Sequence, residues 1–287
     1  MRITVRVPAT SANLGPGFDC FGLALDLCND VTVDTDAEPG VTWEGEGADE
    51  LPTDGTDMVS RAIMEAAQRP GFSLPVFALH GINRIPLERG LGSSAAAAVA
   101  GAAVGSVLAG VPAVDAAEAG FDVAAILEGH ADNAAAAVYG GFTVLAGGFA
   151  RHLDPHPSLA PVVFVPTERL ATSVARDVLS PTVPREDAVF NIGQAALTVI
   201  AFTQDPKLLI VALQDRLHED ARAALMPESA DLLRELRSRQ VPACLSGAGP
   251  SVLAFDGDGR PAGDPPDGWS TIRPGVRATG VEVVVED

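Results

Sequence analysis

Between Pro86 and Ala100 the chain reads Pro-Leu-Glu-Arg-Gly-Leu-Gly-Ser-Ser-Ala-Ala-Ala-Ala-Val-Ala, a glycine-rich turn followed by two hydroxyls and a run of strong helix formers. Gly90 and Gly92 open backbone angles closed to other residues and let a ligand approach closely, and Ser93 or Ser94 can cap a helix that begins there. The free amides of a first helical turn point at one spot, at the positive end of the helix dipole. The chemistry such a spot suits is the binding of an anion, phosphate above all. The same pattern also serves ordinary helix initiation, and it is not a Walker A loop, since no Gly-Lys-Ser/Thr follows.

Three other stretches carry groups able to do chemistry. Pro8-Ala-Thr-Ser-Ala-Asn-Leu-Gly-Pro-Gly-Phe-Asp19 places Asn13 and Asp19 on a segment that glycines force into a fixed shape, and loops held by strands often carry binding groups. Glu128-Gly-His-Ala-Asp-Asn133 concentrates carboxylates and an imidazole before Gly140-Gly-Phe, and Ser246-Gly-Ala-Gly-Pro-Ser251 is a further glycine-bearing loop.

The elements that must position these groups follow from periodicity. Ile3, Val5 and Val7 alternate with polar residues, which is a strand with one buried face, and Phe21 to Val33 resumes as strand. Helical spacing covers Val59 to Gln68, and Gly71 to His80 reads as another strand. A helix follows the phosphate loop, and a second, from Val114 or Asp115, carries Glu118, Asp122 and Glu128 toward the Glu128–Asn133 loop. Phe142 to Leu145 is a strand. Gly147 to Pro166, with two glycines, four prolines and a valine-rich strand, has the character of a domain boundary, placed near Arg151 to Ser158. Beyond it come helices at Thr172 to Leu179, Asp187 to Thr203, Lys207 to Ala224 and Ser229 to Gln240. The remaining strands are Val241 to Leu245, Val252 to Phe255 and Val281 to Val285, with a polar surface loop from Asp256 to Gly268.

Composition bounds the partners. Of 287 residues, 38 are acidic and 19 basic, a formal net charge of -19, and Lys207 is the one lysine. Such a surface repels nucleic acid and anionic lipid, which sets both aside, and with lysine so scarce it reads as adaptation to a salt-rich cytoplasm. A mean hydropathy of +0.22 describes a globular chain. The apolar run Leu91 to Val111 is mostly alanine and glycine and opens with a glycine turn, so it reads as a buried helix of a soluble protein rather than a membrane span. Cys20, Cys28 and Cys244 match neither a zinc nor a redox spacing and read as small buried side chains in a reducing compartment. The N-terminus enters a strand directly, without a signal-peptide pattern, which sets the expected location as cytoplasmic.

Taken together, the glycine-bearing motifs resemble those of the GHMP small-molecule kinases along nearly the whole chain, and the first motif and His130-Ala-Asp-Asn133 are close to the forms found in the homoserine kinases of that family. The resemblance implies an α+β, two-domain fold, with a ribosomal protein S5 domain 2-like N-terminal half (1–152) and a ferredoxin-like C-terminal half (153–287). It implies ATP and Mg2+ as cofactors, transfer of phosphate to the side-chain hydroxyl of L-homoserine, and a homodimer. Pro86, Leu87, Glu88, Arg89, Gly90, Leu91, Gly92, Ser93, Ser94, Ala95 and Ala96 would cradle ATP, with Ser94 beside the magnesium. Asn13, Asp19, His130 and Asp132 fall on positions lining the amino-acid pocket, and Arg176 and Arg222 on those facing its carboxylate, which a guanidinium fork suits. Asn133 stands where mevalonate kinase relatives carry an aspartate, so direct attack is expected, the proton passing to phosphate or water. For the metal carboxylate, Asp122 fits the ungapped register and is preferred, with Glu128 the competitor. The sequence departs from the family in Glu88 and Arg89 and in Ala134-Ala-Ala where Val-Ala-Pro is usual. The alternatives are a mevalonate- or shikimate-type kinase of the same family, and a non-catalytic sensor on the same fold.

Overall fold

Ile3, Val5 and Val7 are fully buried while Arg2 and Arg6 are exposed, and this alternation makes one face of the first strand a core face. A computed structural model describes residues 1–257 and 259–286. In chain order the elements are β1 (Arg2–Ala12), β2 (Phe21–Asp34), β3 (Gly40–Gly45), α1 (Met58–Ala66), β4 (Ala78–Asn83), α2 (Ser93–Leu108), α3 (Ala113–Ala119), α4 (Phe121–Glu128), α5 (Asp132–Tyr139), β5 (Phe142–Ala146) and β6 (Phe149–Leu153). Then come β7 (Ala160–Val165), α6 (Thr172–Asp177), α7 (Arg185–Thr203), α8 (Leu209–Ala212), α9 (Glu219–Arg222), α10 (Pro227–Ser238), β8 (Ala243–Leu245), β9 (Val252–Asp256), β10 (Ser270–Ile272) and β11 (Glu282–Glu286).

Among the described residues the strands form two sheets. The first has seven strands, in the order β11-β1-β2-β4-β3 with β5 and β6 attached through β2, and the second has four, in the order β10-β7-β9-β8. Pro8 has no amide hydrogen to give the ladder, and the β1–β2 register shifts at this point, from Pro8↔Cys28 to Ala9↔Leu25. The bulge divides β2, whose first residues pair with β5 and whose last pair with β4. The chain crosses from the first sheet to the second between Leu153 and Ala160, but β11 returns to pair with β1. A division of the chain at 152/153 therefore omits this last strand from the half in which it lies.

The long alanine-rich helix is α2, packed against α1, α3, α4, α5 and β1. Burial on nearly every side explains why it carries no polar stripe. A Cβ at Gly101 would come 2.3 Å from Val59 O and one at Gly105 2.5 Å from Ile63 O, so α1 sits against bare backbone. No helix among the described residues is long and apolar enough to cross a membrane. The two halves share a core: Phe142 stacks on Phe202 at 4.8 Å, and Phe21 and Phe255 meet the edges of this pair.

Several expected elements differ. Of the strand expected from Gly71 to His80 only Ala78 to His80 is paired, as the start of β4, Pro75 interrupting the earlier part. The helix expected through Glu128 breaks into α3 and α4 at Gly120, where a Cβ would come 2.9 Å from Ala102 as the chain passes α2. Lys207 to Ala224 is a 3-10 turn (Pro206–Leu208), α8 and α9. The Asp215 carboxylate interrupts it by accepting the amides of Leu217, His218 and Glu219. Cys20 is exposed and Cys28 half-buried; only Cys244 is buried, which pushes its thiol well above the usual range. Asp258, in the expected surface loop, and Asp287, at the end of the expected second half, lie outside the described residues.

Candidate active site

A cavity of about 500 Å³ opens where the N-terminus of α2, the N-terminus of α5, the β1–β2 loop and the start of α6 converge. Its floor is the glycine turn. Gly92 adopts φ 68° as the N-cap of α2 and no side chain caps the helix, so the hydroxyls of Ser93 and Ser94 are not used as caps, contrary to expectation. The first-turn amides face the cavity without a competing acceptor from the chain. All of Pro86 to Ala96 line the cavity except Ala95, which is wholly buried beneath it.

The phosphate loop is braced from the second half. A Cβ on Gly90 would lie 2.1 Å from Ser246 O, so the Ser246–Ser251 loop packs directly beneath it. The Ser246 hydroxyl lies 2.7 Å from Gly90 O and 2.9 Å from Ser11 Oγ. Of the two charged residues peculiar to this loop, Arg89 is engaged by the chain, donating to Pro166 O, Thr167 O and Leu87 O, and Glu88 turns with φ 53° and accepts the Leu170 amide through its carbonyl.

Ser94 Oγ donates to Glu128 Oε2 at 3.0 Å. Burial raises the Glu128 pKa, with the nearby Asp132 charge adding to it, against the lowering effects of Ser94 and His130. Asp122, preferred from the sequence, is exposed on α4 and outside the cavity, and of the two candidate carboxylates it is Glu128 that lines the cavity. Two hard oxygen donors, one of them a largely desolvated carboxylate, suit Mg2+. Among the described residues no group of three or more His, Cys, Asp or Glu could hold a metal. Phosphate oxygens and water would have to complete the shell.

His130, Asp132 and Asn133 also line the cavity. His130 Nδ1 is 3.2 Å from Asp132 Oδ1, and this hydrogen bond, opposed by burial, raises the imidazole pKa. The same oxygen accepts the Asn133 amide at 2.8 Å and starts α5. Asn13 is buried with φ 67° and is engaged by the chain itself: Nδ2 donates to Gly247 O and Oδ1 accepts the Asp19 amide. It therefore fixes the loop that carries Asp19.

Asp19 and Arg176 are paired with each other, the guanidinium donating to both carboxylate oxygens at 2.5 and 3.1 Å. Arg222 is different. It is 1% exposed, and its hydrogen bonds go to Ala175 O, His218 Nδ1 and Gly247 O, all neutral acceptors. Burial and the neighbouring Arg176 both lower its pKa. A buried guanidinium beside a cavity with no carboxylate in contact is unusual, since burial of a charge is ordinarily offset by an opposite one.

Four contributors were not singled out from the sequence. Thr10 donates from Oγ1 to Asn133 Oδ1 at 2.8 Å. Phe18 lies 5.5 Å from both the Arg176 and Arg222 guanidinium carbons. His218 Nε2 is 2.8 Å from Gly15 O, which leaves Nδ1 to accept from Arg222, and Asp215 anchors the turn that carries His218. The i, i+4 spacing of His218 and Arg222 was a usable signal for that pair, and so was the pair of hydroxyls Thr10-Ser11 among small residues at the strand end.

Comparison with known proteins gives a consistent result. The family model for the GHMP kinases N terminal domain matches residues 57–141, and that for the GHMP kinases C terminal matches 198–263. The chain is 44% identical to a homoserine kinase of Clavibacter michiganensis over 99% of its own length and 87% of the relative. It is 47% identical to a homoserine kinase of Cutibacterium acnes over 88% of each. The crystal structure of homoserine kinase from Cytophaga hutchinsonii superposes with a TM-score of 0.83 at 26% identity, covering 99% of this chain and 97% of that one.

Proposed function

The chain belongs to the GHMP kinase family, among the homoserine kinases, and we propose that the cavity described above is where it transfers the γ-phosphate of ATP to the side-chain hydroxyl of L-homoserine, giving O-phospho-L-homoserine for threonine biosynthesis. The observation that carries the pocket assignment is the Arg222 guanidinium, buried beside the cavity with neutral partners alone, next to an Asp19–Arg176 pair able to exchange partners with a zwitterion. The substrate's carboxylate meets the arginines and its ammonium meets Asp19, which directs the side-chain hydroxyl toward Asn133 and the phosphate loop.

The phosphates of ATP would lie on the amides of Gly92 to Ala95 at the positive end of α2, the Ala96 amide being taken by Gly92 O. Ser94 and Glu128 would hold Mg2+, which would supply charge neutralisation on the phosphate oxygens when bound with the nucleotide. The acceptor oxygen attacks the γ-phosphorus in line, the O–P bond forming as the bond to the leaving ADP oxygen breaks. Asn133 cannot take the proton, which passes to a phosphoryl oxygen or to water. Positioning and electrostatics therefore carry the rate.

The same reading takes the protein as a cytoplasmic homodimer adapted to salt. The test is ADP release in molar potassium chloride with magnesium and ATP, comparing homoserine, mevalonate, shikimate and no acceptor. Homoserine-dependent turnover is the expected result; turnover with another acid alone overturns the pocket assignment. Activity greatest in dilute buffer overturns the salt adaptation, and a monomer in sedimentation overturns the dimer.

A further inference from the structure

Thr10 lies at the end of β1 beneath the phosphate loop, fully buried and outside the cavity lining. Its amide donates to Leu91 O at 3.1 Å, and its hydroxyl donates to Asn133 Oδ1 at 2.8 Å. The turn closes directly over this bond: a Cβ on Gly92 would come 2.0 Å from Thr10 Oγ1 and 3.1 Å from Asn133 Oδ1. One residue thus ties the backbone of the phosphate loop to the asparagine in the first turn of α5.

We propose that Thr10 is a positioning residue for phosphoryl transfer, acting through Asn133; this rests on the reading of Asn133 as the residue facing the acceptor hydroxyl. With Oδ1 occupied by the Thr10 proton, the amide presents its NH2 group to the cavity. Asn133 then serves as a hydrogen-bond donor, holding the acceptor oxygen through one lone pair while another is left for phosphorus. Without the Thr10 hydroxyl the amide is free to rotate and to present either end. Since phosphoryl transfer depends on placement rather than on covalent chemistry by the protein, loss of this constraint falls on turnover and not on binding.

The experiment compares Thr10→Val, which removes the hydroxyl at nearly constant shape, with Thr10→Ser, which restores it, alongside Asn133→Ala and the double variant Thr10→Val/Asn133→Ala. Turnover and the KM for ATP and homoserine are measured separately, with thermal unfolding as the control for folding. Thr10→Val is expected to lower kcat by roughly 10- to 100-fold with both KM values within about threefold of the parent. Thr10→Ser should return most of that loss, and the double variant should be no slower than Asn133→Ala alone. A Thr10→Val enzyme with parental kcat overturns the proposal, as do losses that multiply in the double variant. If valine does not fold, Thr10→Ala serves the same comparison. Absence of homoserine turnover in the parent removes the functional reading and this proposal together, whereas parental turnover with an unaffected Thr10→Val removes the proposal alone.

Discussion

Replacing Arg222 by methionine separates binding from stability. The substitution removes donors to Ala175 O, His218 Nδ1 and Gly247 O, of which Gly247 O keeps the Asn13 amide as a partner. Leaving His218 Nδ1 and Ala175 O without their donor costs about 1–3 kcal/mol for each group that stays buried. Against this, an ionised group that sheds water without an acidic partner carries a penalty of several kcal/mol, which a methionine of similar length removes. The two effects are of comparable size and opposite sign, so the unfolding midpoint should move by only a few degrees, in either direction. Binding has no such compensation. A substrate carboxylate brought against an apolar side chain in a dry site loses about 2–5 kcal/mol, or roughly 30- to 4,000-fold in kcat/KM for homoserine, with the KM for ATP unchanged. Steady-state kinetics with each substrate varied, beside a thermal melt, read both quantities. A collapse of the melting temperature with normal homoserine kinetics would refute the reasoning and reduce Arg222 to a structural brace.

Asp19→Ala frees Arg176 from its partner, so homoserine turnover should fall while the ratio of kcat/KM for 4-hydroxybutyrate to that for homoserine rises; an unchanged ratio would mean that the ammonium is held elsewhere. Glu128→Gln should require much more magnesium for half-maximal rate, whereas Asp122→Asn should titrate like the parent, and a magnesium dependence altered in the second variant alone would restore Asp122 as the metal carboxylate. At Asp30 burial opposes ionisation, but the hydrogen bonds from Arg6 and Arg84 outweigh it and its pKa is lowered. A folded-state pKa below the unfolded one gives stability that is present at neutral pH and lost as pH falls through the folded value. Asp30→Asn should therefore cost about 1 kcal/mol at pH 7, and the difference should shrink as pH is taken below about 4, as read by denaturant titration at the two pH values. A constant difference would place the effect in packing.

The glycine turn and its helix were legible because local chemistry dictates them: Gly90 and Gly92 both take positive φ, and the alanines that follow fit a helix packed on all sides. Which end of α4 meets the loop was not legible. Asp122 and Glu128 are six positions apart on a helix, on different faces, and the choice depends on where Gly120, close against Ala102 of α2, starts it and where Gly129, at φ 78°, stops it. The break between Lys207 and Ala224 was hidden for a related reason: the capture of backbone amides by Asp215 overrides a helical pattern. Ser93 and Ser94 are good caps by type, but Gly92 in the left-handed region does not need them. The Asp19–Arg176 pairing joins residues 157 positions apart, a juxtaposition that spacing does not reveal.

The return of β11 to β1 sets an order of events during synthesis. Every side chain proposed to hold substrate or metal lies before residue 223, yet β1 has an open outer edge until Glu282–Glu286 have been made. The segment just before β11 also seals the turn after α5: Gly141 donates to Arg277 O, Val281 donates to Ala137 O, and Gly280 passes so close that a Cβ there would lie 2.0 Å from Val138 O. A chain emerging from the ribosome thus carries the full set of reacting groups on an unclosed sheet, with a strand edge free to pair with a neighbouring nascent chain. Release of the final strand is what turns that set of residues into an enzyme, and translation arrested shortly before it should yield material that aggregates rather than a partly active kinase.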